Sequence, residues 1–247
     1  MKRQELLHYL DEYLETKRFK DYAPNGLQVE GREKVTRVLT SVSASQKAIE
    51  AAIEFEADVL LVHHGYFWKN ENPTVVGIKR QRLLSLMQHN INLIAYHLPL
   101  DQHPIVGNNA LFASHFVCNR VYQSEVEPLI WHAEVVTTEA HSIARKLEKN
   151  LGRKPVMVGS LNQPIRRIAW CTGAAQDFFA QAVSEGAQAF FSGEYAERTY
   201  HEAHELKALY YSCGHHATER AGVIALGEHL TNRFGLKVRF FDDDNPF

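Results

Sequence analysis

Val59-Leu60-Leu61-Val62-His63-His64-Gly65 is the stretch that decides the fold. Four apolar residues run directly into two histidines and a glycine, which predicts a buried β-strand whose carboxyl end is followed by a turn. In open α/β sheets the functional crevice lies at the carboxyl ends of the strands. His63 and His64 are therefore candidates for half of a metal site. For this pair alone the simpler interpretation, one packed and one solvated histidine, is favoured, so the metal hypothesis depends on a second set of ligands.

The flanking segments predict a β-α-β unit around this strand. Residues 35–42 are rich in Val, Leu and Thr and predict a strand, and Ser43 has the chemistry to cap a helix that continues to Phe55. Such a unit implies parallel strands with a right-handed crossover. A third strand, residues 91–96, leads to His97 and, four residues later, Asp101. A histidine and a carboxylate thus follow another strand end.

A second copy of the pattern occurs later in the chain. Aligning the two copies places Glu194 opposite His64, and the segment after residues 208–211 carries His215 and Glu219 with the spacing of His97 and Asp101. The sequence therefore predicts an α/β fold of two similarly built α/β/α layered halves, an internal duplication. We place the halves at residues 1–125, with His63, His64 and Asp101, and 126–247, with His215 and Glu219.

The spacing of His215 and Glu219 has a physical use. Residues four apart share one face of a helix, so both side chains can converge at the start of a helix predicted for residues 217–234. Imidazole with carboxylate suits Zn, Fe, Mn, Ni or Co better than Ca or Mg. Five or six such ligands fit two divalent transition-metal ions better than one, and a pair of ions can activate water for hydrolysis. His201 and His204 are candidate pocket residues.

Composition narrows the function classes. The chain has 247 residues with a net charge of −2, so no global positive field favours nucleic acid or an anionic membrane. Its start is charged too early for a signal peptide, and no apolar run approaches the length of a membrane span. The three cysteines share no short spacing, which argues against a disulfide framework and a CxxC zinc site. We expect a cytoplasmic protein.

Several motifs together resemble the NIF-three-like family, also called GTP cyclohydrolase I type 2 homologues. The resemblance spans the whole chain and rests on six segments: Pro24–Val29, Val62–Gly65, His97–Asp101, Ser192–Glu194, Gly214–Glu219 and Asn245–Phe247. It implies two similarly built halves, assembled into a ring-shaped homohexamer with two-metal sites facing the interior.

By matching motifs, the resemblance also implies roles for particular residues. The metal ligands would be His63, His64, Asp101, His215 and Glu219, with Glu219 bridging the ions. His97 matches a histidine beside the site, as a pocket or proton-moving catalytic residue. The family often has His-Thr-Asn-Leu-Asp there, whereas this chain has Leu98 and Pro99, so substrate contacts made at those positions are not carried over.

Three functions follow as expectations. The first is a dinuclear metal-dependent hydrolase acting on a small nucleotide-like substrate, with GTP ring opening as one version. The second is a metal-binding or metal-delivery assembly protein without substrate chemistry, for which the ligands would look the same. The third and weakest is a ring-shaped nucleic-acid-associated protein, because the near-neutral charge opposes it. Its channel would be lined by basic residues: Lys79, Arg80, Arg82, Arg166 and Arg167.

Overall fold

The computed structural model describes residues 1–160 and 164–247. The strands are β1 (Gly26–Val29), β2 (Arg37–Ser43), β3 (Val59–His64), β4 (Asn92–Ala95), β5 (Cys118–Gln123), β6 (Trp131–Thr138), β7 (Val156–Val158), β8 (Ile165–Trp170), β9 (Ala189–Ser192), β10 (Leu209–Ser212) and β11 (Lys237–Phe240). The helices are α1 (Arg3–Tyr13), α2 (Gln46–Glu54), α3 (Gly77–Gln88), α4 (Leu98–Gln102), α5 (Asn108–Phe112), α6 (Ala140–Leu151), α7 (Phe179–Ser184), α8 (Glu197–Glu205) and α9 (His215–Phe234). Three short 3-10 turns lie at Thr16–Arg18, Ala113–His115 and Gln176–Phe178.

The described residues form two compact units. The first consists of Met1–Val106 with Arg220–Asp244, and the second of Gly107–Glu219 with Asn245–Phe247. The first five residues of α9 therefore belong to the second unit and the remainder to the first. Duplicated halves bounded at residues 125 and 126 remain a prediction from the sequence.

The first unit contains a sheet with the strand order β1-β4-β3-β2-β11. Strands β2, β3, β4 and β11 run parallel, and β1 pairs antiparallel with β4. Because side chains alternate along a strand, Val59 and Leu61 pack on one face with α1 and α9, while Leu60 and Val62 pack on the other with α2 and α3. The predicted β-α-β unit and its α/β/α layers are confirmed.

The second unit contains a sheet with the strand order β5-β6-β8-β9-β10-β7. Its central strands β8, β9 and β10 are parallel, and β7 pairs antiparallel with β10, as β1 does with β4 in the first unit. Helix α6 packs on one face, where Phe191 and Tyr211 lie, and α7 and α8 pack on the other, where Phe190 and Tyr210 lie. The prediction of two similarly built α/β halves is confirmed.

Element boundaries differ from prediction at two informative places. Ser43 was predicted to cap α2 but lies at the end of β2, and the cap is Ser45, whose hydroxyl accepts a hydrogen bond from Ala48 N at 3.1 Å. Helix α9 begins at His215 rather than Ala217, directly after Gly214, whose φ of 96° turns the chain. The first shift leaves Ser43 in the strand, and the second brings the end of β10 closer to α9.

We also searched the helices for a candidate membrane span. In residues 1–160 and 164–247, none combines the length and the apolar character that crossing a bilayer requires.

Candidate metal centre

His63 lies at the carboxyl end of β3 and is fully buried. Its Nδ1 is 3.0 Å from the Tyr96 carbonyl oxygen, which can only accept, so Nδ1 carries the proton. Its Nε2 lies 3.5 Å from Asp101 Oδ1. A histidine whose outer nitrogen donates to a backbone carbonyl is oriented as metal-ligating histidines usually are.

His64 is held by the neighbouring strand. The parallel register of β2 and β3 pairs Ser43 with His64, and Ser43 Oγ lies 3.1 Å from His64 Nδ1. This contact explains Ser43's position: its hydroxyl is used by the imidazole and not by α2. The side chain of His64 is half-buried, so it can meet both protein and solvent.

His97 is held by Asp21, which the sequence analysis did not identify. Asp21 Oδ1 lies 2.9 Å from His97 Nδ1, while Asn25 Oδ1 accepts from the His97 backbone N at 2.8 Å. Burial acts to raise the pKa of Asp21, but the hydrogen bond and charge of His97, with donors from Asn25 and Leu98, lower that pKa to about 2. Asp21 is thus a carboxylate that accepts a hydrogen bond from His97 Nδ1 and fixes the orientation of the ring.

The three imidazoles form one cluster in the first unit. One ring nitrogen from each of His63, His64 and His97 lies within 4.8 Å of the others. Asp101, buried on α4 one turn after His97, adds a carboxylate. Four residues predicted from the sequence are therefore brought together at the ends of β3 and β4, and their nitrogen and oxygen donors fit a transition-metal ion.

In the second unit, His215 and Glu219 lie on the first turns of α9. Glu219 Oε2 is 3.1 Å from His215 Nε2, and Glu194 Oε1 is 2.6 Å from His215 Nδ1. Burial acts to lower the pKa of His215, but hydrogen bonds and charge from Glu219, then from Glu194, raise it to about 9. The two carboxylates therefore make this place strongly favourable for positive charge.

Two glycines shape this second cluster: Gly173, which the sequence analysis did not identify, and Gly193, which lies within the Ser192–Glu194 motif. A Cβ on Gly173 would lie 2.1 Å from Glu219 Oε1, and one on Gly193 would lie 2.6 Å from His215 Cα. Thr218 Oγ1 accepts from Gly173 N at 3.1 Å and so ties the turn after β8 to α9. Glycine spacing alone gave no signal, because the close approach depends on α9, which begins more than 20 residues after either glycine.

Other candidates have different surroundings. Cys213 is fully buried, and burial raises the pKa of its thiol, as expected for a small packed residue. On α8, His201 and His204 are exposed; His201 Nε2 is 3.1 Å from Glu197 of the same helix, and His204 Nδ1 donates to Tyr200 O at 2.7 Å. Their predicted pocket role therefore has no support in these contacts.

Comparisons of sequence and of structure identify relatives of this chain. A sequence model of the Duf34/NIF3 (NGG1p interacting factor 3) family matches residues 1–246. A Neisseria meningitidis protein named GTP cyclohydrolase 1 type 2 homolog is 47% identical over 245 residues, covering 99% of this chain and 98% of its own. The structural-genomics protein ybgI, of unknown function, superposes with a TM-score of 0.96 at 44% identity and full coverage of both chains. A Thermus thermophilus protein gives a TM-score of 0.91 at 33% identity, again with full coverage.

Fold and site together define an α/β protein with histidine and carboxylate clusters that can bind metal. The chain belongs to the Duf34/NIF3 family, which confirms the resemblance drawn from its motifs.

Proposed function

We propose that the protein is a dinuclear metal-dependent hydrolase acting on a small nucleotide-like substrate, as the name GTP cyclohydrolase 1 type 2 homolog of its relatives suggests. The observation that carries the proposal is the cluster of His63, His64 and His97, in which one ring nitrogen of each residue lies within 4.8 Å of the others. Three converging imidazoles with an adjacent carboxylate are expensive to assemble in a protein interior unless a cation compensates them.

The ligand set we propose is His63, His64, Asp101, His215 and Glu219, with Glu219 bridging two ions. The first three are supported by the cluster in the first unit, and the last two by their mutual contact at the start of α9. Zn, Fe, Mn, Ni and Co are all compatible with these donors. Such ions, when bound, would lower the pKa of water and polarise the bond under attack.

His97 is the residue we propose for moving protons. Its Nδ1–H is held by the Asp21 carboxylate, so its Nε2 is the atom able to accept a proton from a reacting group and return it. One ring nitrogen of His97 belongs to the three-imidazole cluster. Asp21 therefore orients an acceptor in the way that a carboxylate orients the base in other hydrolytic sites.

The first test is metal analysis of the full chain with a matched variant pair. Glu219→Ala should lose bound metal and any turnover of GTP, whereas Glu197→Ala, an exposed glutamate on α8, should keep both. Metal retained without turnover across a library of nucleotides and cyclic amides would favour the metal-delivery alternative. Wild-type protein that takes up none of the five transition metals would contradict the proposal.

We also propose the homohexameric ring and the cytoplasmic location that the family resemblance implies.

Two of the basic residues named for the nucleic-acid alternative already contact other side chains of this chain. Lys79 Nζ lies 3.1 Å from Glu71 Oε1, and the Arg82 guanidinium stacks over the Tyr66 ring at 5.9 Å.

A further inference from the structure

An aromatic pair, the exposed Tyr22 and the half-buried Trp68, lies beside the histidine cluster of the first unit. The Tyr22 and Trp68 ring centroids lie 4.9 Å and 5.1 Å from that of His97, and Trp68 is 5.9 Å from His64. Tyr22 nevertheless keeps 53% of its surface exposed. A large exposed aromatic next to converging ligand-type imidazoles is a feature that packing alone does not require.

The loop carrying Trp68 is held in place by specific contacts. Phe67 has a φ of 65° and Asn70 a φ of 72°, left-handed conformations that cost about 1 kcal/mol or more for non-glycine residues. Lys69 N donates to the Tyr22 carbonyl at 2.8 Å, which joins the two aromatic segments through the backbone. Lys79 Nζ covers the Phe67 ring at 5.1 Å. The strain is therefore compensated by contacts that fix the position of Trp68.

The orientation of the rings indicates how a ligand would use them. Both stand nearly perpendicular to the His97 ring, at 76° and 86°, and are tilted only 35° from each other. Their centroids are 5.7 Å apart, less than the roughly 7 Å that a flat ring needs between two others at contact distance. A flat ring therefore does not fit between them, but it can stack on the exposed face of Tyr22 with Trp68 as support.

We propose that the aromatic pair binds the planar heteroaromatic ring of the substrate, of the nucleobase class, beside the histidine cluster. The inference rests on the proposed function and adds to it the part of the substrate that is recognised. Stacking accepts any flat heterocycle, so it supplies affinity without base-specific hydrogen bonds. The residues of the histidine cluster would then lie at an edge of the bound ring, where they can act on it.

The test measures binding of guanosine to the full chain, with and without added metal, by equilibrium dialysis. Guanosine should bind to the wild type, while ribose 5-phosphate, which lacks the ring, should not compete. Tyr22→Leu should weaken guanosine binding about 5- to 150-fold, the range for losing one base–aromatic stack, and Trp68→Leu should weaken it in the same direction. Tyr22→Phe keeps the ring and should bind close to the wild-type level.

Two controls separate this inference from the proposed function. Tyr200→Leu removes an aromatic of similar exposure, 58%, from α8 and should change nothing. Metal content is measured on every variant and should stay at the wild-type level.

Guanosine binding unaffected by Tyr22→Leu, or absent from wild-type protein, would overturn the inference. So would a parallel loss of metal and guanosine in Tyr22→Leu, because the pair would then only pack the histidines. A wild type that binds guanosine through Tyr22 but takes up no metal would instead contradict the proposed hydrolase and leave the aromatic pair standing.

Discussion

At the scale of single residues, the Asp21 carboxylate has several hydrogen-bond partners. It accepts hydrogen bonds from the His97 ring and from the backbone N of Tyr22 and Leu98, and it contacts the Asn25 amide. We expect Asp21→Asn to turn an amide NH2 toward some of these donors and to lower the free energy of unfolding by about 2–3 kcal/mol. Loss of the charge behind His97 should also reduce turnover about 10- to 100-fold.

Denaturant unfolding and an assay of GTP turnover check these two effects. The matched control is Asp11→Asn, which alters the partner of the Tyr96 hydroxyl and leaves His97 with its carboxylate. Equal GTP turnover in wild type and Asp21→Asn would show that the carboxylate has no role in holding His97.

Asp58 supports a pH prediction away from the candidate metal centre. Its Oδ2 accepts from Thr36 N, Thr36 Oγ1 and Arg37 N at 2.7, 2.8 and 2.9 Å. Burial acts to raise the pKa of Asp58, but these hydrogen bonds lower it overall. A depressed pKa means that its stabilising contribution is present above about pH 4 and is lost as the pH falls through the folded-state value.

We therefore expect Asp58→Asn to cost about 2–3 kcal/mol at pH 7 and progressively less in acid. Urea unfolding between pH 2 and pH 7 measures the difference. Asp177→Asn, which removes an exposed ion pair with Arg198, should cost less than about 1 kcal/mol at every pH. A cost for Asp58→Asn that does not change with pH would contradict the assignment.

At the scale of elements, alanine variants of two glycines test the turn that follows β8. Gly173 and Gly152 have similar φ values, 71° and 76°, but a Cβ on Gly173 would meet Glu219, whereas one on Gly152 would meet nothing within 4 Å. Both alanine variants should lose about 1–2 kcal/mol of stability from backbone strain. Only Gly173→Ala should also lose metal, because it displaces a proposed ligand; metal analysis distinguishes the two.

The two serines at the end of β2 give a second matched pair. Ser45→Ala removes the cap of α2 and should lower the free energy of unfolding by about 1 kcal/mol without changing metal affinity. Ser43→Ala should leave α2 intact but release His64 Nδ1, and so weaken metal binding by about tenfold or more. Denaturant unfolding of both variants shows which serine caps α2, and metal titration shows which one supports His64.

Hydrophobic periodicity predicted the central parallel strands and their helices, because β3 is buried on both faces and reads as a continuous apolar run. Strands β5 and β11 and helices α4 and α8 were not predicted. Residues 237–240 form only a short, half-exposed edge strand, and its pairing with β2 joins positions about 200 residues apart. Ligand-type residues could be predicted from their positions after strands, but Asp21 and Gly173 could not, since their partners come from distant segments.

At the scale of the whole chain, the first unit depends on residues near the carboxyl terminus. Its sheet includes β11, and its core includes Val223, Leu226 and Leu230 of α9, each fully buried. A fragment of residues 1–125 would lack all of these. We expect it to remain unfolded or molten by near-ultraviolet circular dichroism, and addition of residues 215–247 as a peptide to restore some structure; a cooperatively folded fragment would contradict this.

Assembly is the other prediction at this scale. The chain mass is 28.2 kDa, so light scattering on a sizing column should report about six times that value for the proposed hexamer. With a net charge of −2, DNA binding should be weak and should show no steep dependence on salt. The mass of a monomer would contradict the proposed hexameric ring. Strong, salt-dependent DNA binding would support the nucleic-acid alternative.

The pairing of β11 with β2 also has a consequence for biosynthesis. A ribosome works from the amino terminus, so the nascent polypeptide emerges with His63, His64 and His97 long before the strand that completes their sheet has been translated. The edge of β2 that β11 covers therefore stays unpaired until residues 237–240 have been translated. We accordingly expect the proposed ions to be loaded onto the imidazole cluster only after β11 has been made.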